Sequence, residues 1–78
     1  MVDLAGFREW LKNNTEYSDA VRKDMLSRIK RADSILEWNN AETYLFFLEK
    51  EEAFHSLSVS VKSQIRKAVR LYSTFSEN

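Results

Sequence analysis

The side chains in this sequence best suited to chemistry are cations spaced for one helix face. Between Ser58 and Phe75 the chain reads SVSVKSQIRKAVRLYSTF. On a helix of about 3.6 residues per turn, Ser63, Arg66, Lys67 and Arg70 fall together, with Lys62 on their flank. No acidic residue lies between Glu52 and Glu77, so that face carries one sign. A second set, Lys23, Ser27, Lys30 and Arg31, shares the outer face of an earlier helix. Clustered cations raise the local potential whatever the total charge, and they suit phosphate oxygens. Arg, Lys and Ser also read base edges when a helix enters a major groove. Recognition of a nucleic acid is the expectation, weighed against two others: a solvated face and the docking of a protein partner.

Other reactive types are sparse. His55 is the only histidine and has neither an acid partner nor a nucleophile at useful spacing. With no cysteine, thiolate metal sites and disulfides are impossible. Glu49, Glu51 and Glu52 could make a hard-cation or paired-acid site, but three acids on an amphipathic helix read first as a solvated face. Asp19, Asp33, Glu37 and Glu42 fit no ligand pattern. No enzyme, cofactor or metal is expected.

These cations need helices to position them. One glycine and no proline leave almost no residue for the positive-φ turns that strand-rich folds use, so the chain reads as all-α. Glycine-rich phosphate loops are excluded on the same count. The first helix is expected from about Leu4 to Asn13, capped by Asp3 and buried through Leu4, Phe7, Trp10 and Leu11. Asn13, Asn14 and Thr15 should end it by competing for backbone hydrogen bonds. The second runs from Asp19 to Trp38 behind Ser18, with Val21, Met25, Ile29, Ala32 and Leu36 as its apolar stripe. A third spans Ala41 to Phe54. Its run Tyr44-Leu45-Phe46-Phe47-Leu48 cannot fit one face, which predicts a central helix covered on several sides. The fourth spans 58–75, with Val61, Ile65, Ala68, Val69 and Tyr72 buried. At an offset of 40 residues, Ser18, Val21, Met25, Ile29 and Ala32 align with Ser58, Val61, Ile65, Val69 and Tyr72. That weak repeat suggests a pseudo-symmetric helix pair.

Seventy-eight residues imply one helical domain, 1–78. A chain of this length buries only about 60 % of its unfolded surface, so one core must suffice. Twelve basic and twelve acidic residues cancel, which argues against a strong non-specific polyanion binder. Their distribution is uneven. Residues 22–31 hold five bases and one acid, 37–52 five acids and one base, and 62–70 four bases and no acid. No apolar run approaches the roughly 18 residues of a membrane span. The start, MVDLAGFREWLK, lacks the pattern of a signal peptide. A soluble, cytoplasmic protein is expected.

Taken together, these segments resemble the N-terminal core-binding domain of tyrosine recombinases, the phage integrases. FREWLKNN is similar to that family's opening helix, YSDAVRKDMLSRIKRADSIL to its second, AETYLFFLEK to its third and LSVSVKSQIRKAVRLYSTF to its fourth. Leu57-Ser58 with Ala68-Val69-Arg70 and Tyr72 match most closely. Val59 stands where the family often has proline, Val21 and Val61 where threonine is frequent, and Lys62 and Arg66 where an apolar residue is common. The resemblance implies a compact four-helix orthogonal bundle of SAM-like type that clamps one side of duplex DNA. Lys23, Ser27, Lys30 and Arg31 on the second helix, and Ser63, Lys67 and Arg70 on the fourth, would meet the major groove. Catalysis would belong to a separate domain C-terminal to this segment, so Tyr17, Tyr44 and Tyr72 are not cast as nucleophiles.

Overall fold

The structure, a computed structural model, describes residues 1–77. Among them are five helices and no strand: α1 (Leu4–Asn14), α2 (Asp19–Ile35), α3 (Tyr44–Leu48), α4 (Glu52–His55) and α5 (Val59–Ser76). The all-α expectation holds.

Local chemistry sets the ends of the long helices. Asp3 caps α1 by accepting from the Gly6 amide at 2.9 Å. Glycine leaves room for this cap, because a Cβ there would press on the Asp3 carboxylate and displace it, and would lie 3.0 Å from the Phe75 ring. At the far end Thr15 Oγ1 and Asn14 Nδ2 donate to the Leu11 and Trp10 carbonyls, the competition expected of that polar cluster. Ser18 and Ser58 cap α2 and α5 alike, accepting from Val21 at 3.3 Å and Val61 at 3.2 Å. The repeat is physical in this respect. Met25, Ile29 and Ala32 are buried, and so are their counterparts Ile65, Val69 and Tyr72.

α2 and α5 make the most extensive helix contact, and α1 lies against both. Tyr72 ties the three regions together. Its ring meets Phe7 of α1 edge-on at 5.1 Å and Trp38 at 4.6 Å, and its hydroxyl accepts from the Asp3 amide at 2.8 Å. The short axis of the Cα envelope is 15 Å. With helix axes about 8–10 Å apart, that admits two layers, so no helix is enclosed on all sides.

Two expectations are corrected. The second helix stops at Ile35 and does not reach Trp38. Leu36 is extended at φ −142 and ψ 117. The Asp33 carboxylate accepts the Trp38 amide at 2.9 Å, and the Tyr44 hydroxyl donates to the Leu36 carbonyl at 2.5 Å. These side chains satisfy the backbone that another helical turn would have used.

The expected third helix, Ala41–Phe54, is two short helices and is not the packing centre, a place α2 and α5 occupy. Leu48 and Phe54 are both buried. On one continuous helix they would sit about 120° apart around the axis, so one would face water. Bonds from the Lys50 and Glu51 amides to the Phe47 and Leu48 carbonyls close a tight turn there. Glu51, extended at φ −72 and ψ 131, then returns Phe54 to the core. Tyr44 and Leu48 face inward, while Phe46 and Phe47 are left 60 % and 51 % exposed.

Candidate nucleic-acid interface

The geometry of α5 separates the four cations of its segment. Ile65, Ala68, Val69 and Tyr72 fill the buried side. Ser63, Lys67 and Arg70 are exposed on the opposite side. Arg66 is not among them. It is half-buried, and its Nε and Nη2 donate to Glu49 Oε1 at 3.0 and 2.6 Å. Its guanidinium also lies 5.6 Å from the Phe54 ring centroid. Arg66 therefore joins α5 to the turn between α3 and α4, with its charge answered inside the protein. Lys67 stays exposed, its Nζ 5.6 Å from the Tyr17 ring.

On α2, Lys23, Ser27, Lys30 and Arg31 are all exposed, opposite the Met25, Ile29 and Ala32 stripe. The other two arginines of this helix are partnered: Arg22 with Asp19 at 2.7 Å and Arg28 with Asp24 at 4.0 Å. Among the described residues, Lys23, Lys30, Arg31, Lys67 and Arg70 make no ion pair. Two helices that meet through their buried faces turn their outer faces away from the shared core. α2 and α5 pack directly on each other, and each carries a basic stripe on its outward side.

The remaining reactive types have structural settings. His55 is exposed at the last residue of α4. Tyr44 is buried, and burial, followed by the Asp33 charge, pushes its phenol well above the ordinary tyrosine range. Glu49 is taken by Arg66, and no group of three His, Asp or Glu able to hold a metal occurs among the described residues. No described helix is long and apolar enough to cross a membrane.

Two features escape sequence reasoning. An open polar cleft of about 330 Å³ lies between α1 and the start of α2, lined by Arg8, Glu9, Lys12, Asp19 and Arg22. The one-turn spacing of Arg8 and Lys12 was visible in the sequence, but not that Asp19 and Arg22 would face them. The other is the exposed Phe46–Phe47 pair, edge-on at 5.3 Å with Lys50 Nζ 4.3 Å from the Phe46 centroid. Its only sequence signal was an apolar run too long for one face. No protein-family model, curated protein or solved structure matches the chain.

Proposed function

We propose that the chain is a duplex-DNA-binding module of the core-binding type found in integrase-like recombinases, non-catalytic by itself. α3 and α4 would stand for the broken third helix of a SAM-like four-helix bundle. The observation that carries the reading is the set of five exposed cations on the outer faces of α2 and α5 that make no ion pair among the described residues. Exposed Lys and Arg side chains of this kind contact phosphate oxygens and position a protein on a duplex. Lys67 and Arg70 on α5, with Lys23, Lys30 and Arg31 on α2, make the contacts, and Ser27 and Ser63 supply hydroxyls. Arg66 serves as the clamp that steadies α5. Binding by this neutral chain alone is weak, on the order of 10⁻⁴ to 10⁻⁶ M, and strongly salt-dependent. On this reading recombinase catalysis belongs to a separate catalytic domain and not to the residues of this segment.

Titration of labelled duplex DNA at low salt, followed by amide chemical shifts, tests the reading. Shifts at Lys30, Lys67 and Arg70 are expected, and their absence removes it. Lys67→Ala with Arg70→Ala should weaken binding with little change in melting temperature.

A second reading has one observation in its favour. Exposed aromatic pairs are usual at protein contacts, and Phe46 with Phe47 makes one. If the chain is a protein-docking module, Phe46→Ser with Phe47→Ser abolishes partner capture and leaves DNA titrations unchanged.

A further inference from the structure

The α1–α2 cleft concentrates charge outside both stripes. Arg8, Glu9 and Lys12 of α1 line it together with Asp19 and Arg22 of α2, with Arg8 and Lys12 one turn apart. Arg22 is held in place, donating to the Tyr17 carbonyl at 2.6 Å and to Asp19 Oδ1 at 2.7 Å. That bond, then the charges of Arg22, Lys23 and Arg8, hold the Asp19 carboxyl below its usual range. Asp19 is thereby occupied, while Arg8 and Lys12 make no ion pair among the described residues. Lys23, next along α2 and exposed, carries the positive region from the cleft towards Lys30. In the cleft three cations, Arg8, Lys12 and Arg22, stand against the carboxylates of Glu9 and Asp19 in a chain that is neutral overall.

We propose that this cleft is a third DNA contact, taking a backbone phosphodiester between Arg8 and Lys12. The inference rests on the DNA reading above. The local chemistry favours a diester over a free phosphate. A diester carries one negative charge, so Glu9 opposes it less than a dianion. Neighbouring phosphates of the same duplex can engage Lys23 and Lys30, so the sites reinforce one another through a shared ligand.

The experiment measures affinity of the 78-residue chain for a labelled duplex across a salt series. Arg8→Gln with Lys12→Gln should lower affinity about tenfold at low salt and flatten the salt slope by about one phosphate contact. Glu9→Gln should raise affinity about twofold, as expected for removal of a surface charge repulsion. Both sites are exposed, and helical circular dichroism should be unchanged. An unchanged slope in the Arg8–Lys12 variant, while Lys67→Ala with Arg70→Ala still flattens it, overturns the cleft contact and leaves the DNA reading standing. No binding by the unaltered chain overturns both. Inorganic phosphate at matched ionic strength should leave the Arg8 and Lys12 amides unshifted. Saturable shifts there would assign the cleft to a free anion and overturn the duplex contact.

Discussion

α5 and the α3–α4 segment are both rich in apolar residues, yet they fold to opposite ends. α5 spaces its apolar side chains at helical intervals behind a serine that caps Val61, and runs unbroken for 18 residues. The α3–α4 segment packs five apolar residues consecutively, and neither short helix has a side-chain cap. It breaks at Glu49–Glu51, leaving two phenylalanines in water so that Tyr44, Leu48 and Phe54 can be buried. Spacing, not apolar content, decides whether a segment becomes a strut or a patch.

The largest effect that sharpens this contrast comes from truncation. Ile65→Ala, at a fully buried position of α5, should cost about 2–5 kcal/mol in urea denaturation. Phe47→Ser removes a larger side chain but should stay within about 0.5 kcal/mol, as surface changes do. Equal costs would mean that the Phe47 face is covered in solution.

Next comes pH, which probes the inward side of α3. The neutral phenol of Tyr44 is favoured in the folded state. Its contribution is therefore complete below the unfolded tyrosine value of about 10, and is lost as pH climbs above it. Tyr44→Phe should flatten that alkaline fall in stability, at a cost near neutrality of about 1 kcal/mol for the bond to Leu36. An alkaline profile identical to the unaltered chain would show that the phenol is solvated.

Capping gives a smaller difference. Ser58→Ala and Ser18→Ala should each cost about 1 kcal/mol. Thr43→Ala, where no cap bond exists, should cost less than about 0.5 kcal/mol. The smallest effect is a gain. Val59 is the first residue of α5 and 78 % exposed, and Ser58 before it has φ −64 and ψ 158, which a following proline accepts. Val59→Pro should raise stability by about 0.4–1 kcal/mol, read as a higher Tm. A lower Tm would mean that its amide is needed.

Where structure depends on neighbours in the chain, the sequence was legible. Asp3, Ser18 and Ser58 act within three residues, so the starts of α1, α2 and α5 were readable. The buried stripe of α5 follows from period alone. The end of α2 was not readable, because Leu36 leaves the helix through bonds made by Asp33 and by Tyr44, eight residues away. The helix break before Glu52 depends on where Phe54 must land, which is a property of the assembled core. In the candidate site, the exposure of Lys23, Lys30, Lys67 and Arg70 followed from helical period. The pairing of Arg66 did not, since Glu49 lies 17 residues away on another element.

The two indoles sit at different joints of this framework. Trp10 joins α1 to α5, stacked 6.2 Å from Phe7 and tilted 6.3 Å from Phe75. Trp38 lies where the chain leaves α2 for α3, 4.6 Å from both Tyr44 and Tyr72. The chain thus carries two built-in fluorescence gauges, one for the closure of α1 and one for the docking of α3. With either indole changed to phenylalanine, the other reports its own joint. Coincident emission shifts during denaturation would mark a single cooperative unit. An earlier shift at Trp38 would show the α3 segment letting go while the long helices remain mated.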